Sequence, residues 1–258
     1  GSTVDPNRTV DHLVDFLADY RERAGADGYV VGVSGGVDSA VAVTLAARAV
    51  GPDRVVGLSL PAGPSDPANV ADAHDLCARL GVDCRDVDVD PLVAAVRAGA
   101  DDGADFDRLT VGNLQARLRT DLCYLVANEE NHLVLGTTNR SEYLLGYFTK
   151  YGDGAADLRV LADHYKTEVY ELARALGLDR FAVKTPSAEL WTDQTDAGEL
   201  GARYGTIDPI LRELVDEGRS VAETARRVDA DAATVRRFAA MVAATAHKRN
   251  PPPTPGRG

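Results

Sequence analysis

Ser34-Gly35-Gly36-Val37-Asp38-Ser39 follows an apolar run, Tyr29 to Val33, and leads into a stretch rich in Ala and Val. Adjacent glycines let the backbone turn tightly enough for successive N–H groups to point at one anion. The hydroxyls of Ser34 and Ser39 add donors, and a helix N-terminus favours negative charge. A Walker-type loop, G-x-x-x-x-G-K-[ST], carries a lysine that reaches the outer phosphates of a nucleotide. "GVSGGVDS" (32–39) has no lysine and places Asp38 in the first helical turn instead. A carboxylate beside a polyphosphate is repelled unless a cation stands between them. Asp38 therefore reads as a Mg²⁺ ligand, since Mg²⁺ usually takes one or two carboxylates together with phosphate oxygens. The competing reading is a tight turn in which Asp38 caps the helix.

Positioning such a loop requires a strand before it and a helix after it. Strand-like runs occur at 29–33, 54–60, 84–89 and 132–136; helical patterns follow the first three, and one precedes the fourth. Val70, Ala73, Cys77 and Leu80 mark one helix, and Leu114, Leu118, Leu122 and Leu125 another. Val10, Leu13, Leu17 and Tyr20 form the stripe of an N-terminal packing helix. This alternation predicts an α/β fold, a parallel sheet with helices on both faces. Ligands in such sheets bind beyond the carboxyl ends of the strands, so the turns after Val33, Leu60 and Leu135 are the places to search. From Gly136 to His164 the chain reads as one long polar loop, a length that is commonly functional. Helical patterns at 165–176, 206–217, 220–228 and 231–247 form a C-terminal extension. "SVAETARRVDADAATVRRF" could pass for a DNA-reading helix-turn-helix, but the acidic chain favours a plain helical hairpin. Residues 1–250 read as one domain and 251–258, proline-rich, as a disordered tail.

Forty acidic residues against 28 basic ones give a net charge of −12, which argues against nucleic acid as a partner. No apolar run nears the ~20 residues that span a bilayer, so no membrane partner is expected. Cys77, Cys84 and Cys123 form no C-x-x-C pair, which fits a reducing cytoplasm. Only four of the 28 basic residues are lysines, Lys150, Lys166, Lys184 and Lys248. So acidic and lysine-poor a composition suggests a salt-loving organism, and the surviving lysines gain interest.

"SGGVDSA" resembles the pyrophosphate loop of the ATP pyrophosphatases, which cleave ATP to AMP and pyrophosphate. The missing lysine suits that bond, between the α- and β-phosphates. "GNLQARLRTDLCYLVAN" (112–128), "LGTTNRSEYLLGYFTKYGDGAADLRVL" (135–161), "HYKTEVYELARALG" (164–177), "TPSAELWTDQTDAGELG" (185–201) and "HKR" (247–249) follow in order. Together they resemble the ammonia-dependent NAD synthetases over about residues 8–250. The resemblance implies a Rossmann-like, adenine-nucleotide alpha-hydrolase-like parallel sheet. It also implies ATP-driven adenylation of the deamido-NAD carboxylate, ammonia then displacing AMP, in a cytoplasmic homodimer that uses Mg²⁺.

The same resemblance implies roles for single residues. Gly32, Val33, Ser34, Gly35, Gly36, Val37, Asp38 and Ser39 would form the ATP loop, with Thr137, Lys166 and Ser187 as further ATP contacts. Ser187 stands where the family has a Thr. Asp38 and Lys166 would be catalytic, and Glu142 the second Mg²⁺ carboxylate. Arg117, with Arg119 as the neighbouring alternative, would contact deamido-NAD together with Lys150, Asp157, His247 and Lys248. No side chain stands out as general acid or base, and none of the cysteines lies in a nucleophile motif of a glutaminase. Two alternatives stay open here: another ATP-pyrophosphatase amidoligase or thiolase with a different acceptor, and a nucleotide-binding regulator without turnover.

Overall fold

The computed structural model describes residues 5–63, 65–100, 105–191 and 193–256. Its sheet is built from β1 (Gly28–Gly32), β2 (Val55–Ser59), β3 (Asp83–Asp86), β4 (His132–Gly136) and β5 (Leu158–Arg159), in spatial order β3-β2-β1-β4-β5. Every pairing is parallel, with Val30 opposite Val56 on one side and Val134 on the other. The strand order reverses between β1 and β4, and the carboxyl ends there open the crevice where such sheets bind ligands.

Side chains of β1 alternate between two apolar layers, as a strand covered on both faces requires. Tyr29, Val31 and Val33 enter the larger core with α1 (Pro6–Ala24), α2 (Val37–Val50), α3 (Pro67–Leu80) and α7 (Lys166–Ala175). Val30 enters the opposite layer with Cys123 and Ala127 of α5 (Arg108–Glu130). The buried Tyr29 hydroxyl donates to the Leu17 carbonyl at 2.7 Å and ties α1 to the sheet. Against the opposite end of α5 lies α4 (Asp90–Ala100), whose Val93 meets Leu114, Leu118 and Leu122.

One helix stands as expected, and two other expectations change. Leu114, Leu118, Leu122 and Leu125 lie on one helix, α5, as expected, and its buried sheet-facing residues are Cys123 and Ala127. Small residues let that helix lie close to the sheet, while Leu125 is left 66% exposed. The stretch 136–164 is not one loop, because it contains α6 (Arg140–Leu145) and the two-residue β5. The helical pattern at 206–217 is α10 (Tyr204–Leu211) running into a π-turn at Arg212–Asp216. The short helices α8 (Asp179–Ala182) and α9 (Asp196–Leu200) precede it. The hairpin of α11 (Val221–Arg227) and α12 (Ala232–Ala244), followed by α13 (Ala246–Arg249), matches expectation closely. With α6 and α10 it encloses a separate apolar cluster around Ile207, Ile210 and Phe238. Pro251–Gly256 are exposed and without regular structure; the last two residues of the expected tail lie outside the described residues.

Candidate active site

Gly35 has φ +82°, and a Cβ placed on it would lie 2.1 Å from the Asn69 carbonyl oxygen. Only glycine satisfies both the left-handed backbone and the close approach of α3. Gly36 occupies the N-cap of α2 and gives it no side-chain cap. The first-turn N–H groups of a nearly buried helix thus stay available to an anion. Asp38 is not the cap, so the turn-and-cap reading fails. Ser34 and Ser39 brace the loop: the Ser34 N–H donates to Ser39 Oγ at 3.2 Å, and Ser39 Oγ donates to the Gly36 carbonyl at 3.2 Å.

Asp38 turns across the crevice toward the loop after β4. Asn139, fully buried, donates from Nδ2 to Asp38 Oδ1 at 3.0 Å and accepts on Oδ1 from the Glu142 N–H at 3.0 Å. Glu142 completes a capping box at the start of α6 with Oε2, facing the Asn139 N–H at 3.5 Å. Its other oxygen, Oε1, accepts from Lys166 Nζ at 3.3 Å. Capping and facing the site are therefore two duties of one side chain. Lys166, at the start of α7 and 3% exposed, also pairs with Asp38 Oδ2.

Burial is the main reason the Glu142 carboxyl is pushed up to about 8; Asp38 and Asp196 add to it, and Lys166 opposes it. Burial alone would lower the Lys166 ammonium, but the Asp38 and Glu142 carboxylates outweigh it and hold it well above its ordinary value. An ammonium clasped by two carboxylates marks a place where positive charge is required. These oxygen donors suit a hard divalent cation. Among the described residues no three His, Cys, Asp or Glu side chains converge closely enough to hold a metal unaided. Two carboxylates completed by phosphate oxygens fit that limit.

All of this lines a cavity of about 830 Å³, within the usual size of cofactor sites. Gly32, Val33, Ser34, Gly36, Val37, Asp38, Ser39, Thr137, Glu142, Lys166, Ser187 and Lys248 are in its wall. Gly35 is not in the wall, since it faces Asn69. Ser187 donates to the Gln194 carbonyl at 2.6 Å and so shapes the 185–195 segment. Arg117, Lys150 and His247 gather outside the wall. Arg117 donates to the Lys150 carbonyl from Nε at 3.2 Å and Nη2 at 3.1 Å, and Lys150 Nζ lies 3.4 Å from His247 Nδ1. Lys248 links this basic group to the cavity and donates to the Gly146 and Phe148 carbonyls, both at 2.8 Å. Asp157 stands apart, its oxygens taken by the Val134 N–H at 2.8 Å and the Tyr124 hydroxyl at 3.3 Å.

Sequence reasoning missed several participants. Asn139 had a signal, because Asn-x-x-Glu directly after a strand is a capping-box pattern. Arg119, weighed only as the alternative to Arg117, is the arginine in the cavity wall, and its Nε donates to the Leu60 carbonyl at 2.9 Å. Lys184 pairs with Asp72 and donates to the Gly35 carbonyl at 2.9 Å and Asn69 Oδ1 at 2.7 Å, stapling the 184–189 segment to the glycine loop. Asp196 lay within the quoted 185–201 motif without a role of its own, and Tyr204 carried no signal.

Comparison with known proteins points to one family. The NAD synthase family model matches residues 9–252. The NH(3)-dependent NAD(+) synthetase of Methanosarcina acetivorans is 41% identical over 254 residues, 98% of this chain and 99% of that protein. Among solved structures, an NMN synthetase from Francisella tularensis superposes with a TM-score of 0.86 at 33% identity, covering 98% of this chain and all of that one. An NH3-dependent NAD synthetase from Campylobacter jejuni gives 0.82 at 28% identity, covering 98% and 99%. With its glycine loop, its acid–lysine cluster and these relatives in agreement along nearly the whole length, the chain belongs to the NAD synthase family.

Proposed function

We infer that the chain is an ammonia-dependent NAD synthetase, a ligase that forms a C–N bond at the expense of ATP. The deamido-NAD carboxylate attacks the α-phosphorus, pyrophosphate leaves, and ammonia displaces AMP from the acyl-adenylate to give the amide. The observation that carries this reading is the convergence of an uncapped glycine loop with Asp38, Glu142 and Lys166 in one cavity at the strand-order reversal. The 32–39 loop would hold the leaving pyrophosphate through backbone N–H groups and the two serines. Lys166 would face the charge that develops as the α–β bond breaks, where a preorganised donor is most effective. Thr137 and Ser187 would contact ATP from the other walls.

Mg²⁺ belongs to this proposal, with Asp38 and Glu142 as its protein ligands. Bound there, it would neutralise charge on the departing pyrophosphate. The basic group of Arg117, Lys150, His247 and Lys248 would receive deamido-NAD, with Asp157 bracing β4 and β5 apart from it. Lys150→Ala is accordingly expected to raise the KM for deamido-NAD about tenfold, the scale of one charge-assisted contact, with the KM for ATP nearly unchanged. Initial-rate measurements varying each substrate check this, and equal shifts in both would contradict the assignment.

Homodimerisation is proposed through α5, where Leu125 is 66% exposed on the helix that bears Arg117. Light scattering should give twice the chain mass for the wild type and a single mass for Leu125→Asp; a monomeric wild type would overturn it. A cytoplasmic setting is proposed on the free thiols of Cys77, Cys84 and Cys123. Among the described residues no helix is long and apolar enough to cross a membrane. One domain, residues 1–250, would carry the whole reaction.

The deciding experiment is incubation with ATP, Mg²⁺, ammonium and deamido-NAD across a range of salt, because the acidic composition supports a saline setting. NAD and AMP should appear in equal amounts. ATP cleaved only between its β- and γ-phosphates, or AMP formed only with another acceptor, would defeat the reading.

A further inference from the structure

We propose that Asp196 is a positioning residue that holds the Lys166 ammonium in place when Asp38 and Glu142 are committed to a divalent cation. The inference rests on the roles given above to those two carboxylates. In the structure Lys166 Nζ has two anionic partners, Asp38 and Glu142, and both are the groups a cation would claim. An ammonium on a side chain 3% exposed needs counter-charge; the ATP phosphates would supply part of it, and a fixed protein carboxylate would keep it aimed at them. Asp196 is another carboxylate of the same cavity wall, and it too is 3% exposed.

Its two oxygens differ. Oδ2 accepts from the Tyr204 hydroxyl at 2.7 Å, whereas Oδ1 is buried without a hydrogen-bond partner. Tyr204 adjoins both charges: Lys166 Nζ lies 5.5 Å from its ring centroid, and its hydroxyl donates to Asp196. The ring attracts the ammonium while the carboxylate bonded to its hydroxyl supplies the negative charge. Asp196 is also fixed in space, at the first position of α9, with its N–H donating to the Pro186 carbonyl at 3.0 Å. Burial raises its carboxyl above the usual range, and the Lys166 charge and the Tyr204 hydroxyl pull it back. A buried, half-satisfied carboxylate is costly to keep, and holding a neighbouring cation is a use that explains it. It is not a metal ligand in this scheme, consistent with the absence of a three-acid metal cluster among the described residues.

The test is Asp196→Asn, which keeps an acceptor for Tyr204 and removes only the charge. We expect kcat to fall about tenfold or more while the KM values for ATP and deamido-NAD stay within about twofold, the pattern of an interaction felt in the transition state. In a Lys166→Met background the same substitution should change kcat by less than about twofold, because its effect runs through the lysine. Losses that multiply in the double variant, or an unchanged kcat in Asp196→Asn, overturn the proposal. Should Asp196→Asn not fold, Tyr204→Phe serves instead: it too should lower kcat without moving KM and be silent beside Lys166→Met, and full activity would overturn the proposal. Asp38→Asn measured in parallel separates the two levels. If it is impaired and Asp196→Asn is not, only this inference fails; if Asp38→Asn is fully active, the cation reading beneath it fails as well.

Discussion

Asp38→Asn is expected to lose about a hundredfold or more in kcat, the scale of one preorganised charge in the transition state, while the protein keeps its fold. The substitution is nearly isosteric, and the new Oδ1 can still accept from Asn139 Nδ2, now at 3.0 Å. What disappears is the negative charge. The introduced amide nitrogen would face Lys166 Nζ donor to donor, leaving Glu142 at 3.3 Å as the remaining partner of the lysine. Turnover against Mg²⁺ concentration should show both a lower ceiling and a shifted midpoint. Far-ultraviolet dichroism should stay close to wild type, and the melting transition should fall less than in Lys166→Met, because Glu142 still pairs with the lysine. Unchanged activity would remove Asp38 from the cation site.

Lys166→Met combines an activity loss with a stability loss, and the second is the more informative. Methionine fills similar volume but leaves Asp38, Glu142 and Asp196 in a largely enclosed cavity without their cation. Removing one partner from a buried ion pair typically destabilises by ~3–5 kcal/mol. Asp38 and Glu142 are each 17% exposed, so the lower end applies. For a chain of this size that is a drop in Tm of roughly 6–12 °C. Millimolar Mg²⁺ should recover part of it, since Mg²⁺ would neutralise the same carboxylates, and the rescue should be larger than any Mg²⁺ effect on the wild type. Turnover should fall by roughly ten- to a hundredfold through the lost charge-assisted contact. A calorimetric scan in chelator that shows no loss of stability would mean that Lys166 does not neutralise this cluster.

The parts of the site legible in the sequence are those whose chemistry restricts the residue type. Gly35 must be glycine because of its backbone angle and the carbonyl pressed against it, and such a demand survives as a letter. Asp38 stood out because a carboxylate in a phosphate loop is electrostatically odd. Asp196 could not stand out: among forty acidic residues, a buried carboxylate looks the same as a solvated one. Tyr204 was hidden likewise, since it packs in an apolar cluster like any core aromatic. The sheet was legible from apolar runs until β5, whose two residues are too few to show a period. Helix α5 was legible as a helix but not in its orientation, because the small Cys123 and Ala127 meet the sheet while Leu114, Leu118 and Leu122 meet α4. Asp157 illustrates a further limit, for a motif can fix a position along the chain without saying which neighbours will occupy its oxygens.

Three of the four lysines, Lys166, Lys184 and Lys248, line a single cavity, and Lys150 lies in the basic group that Lys248 joins to it. Apart from the α-amino group, primary amines are therefore concentrated at this one place rather than scattered over the surface. An acylating reagent or an amine-directed crosslinker would meet almost no decoys and would act as a nearly regiospecific label. Occupancy of the cavity could then be followed by mass spectrometry on four peptides.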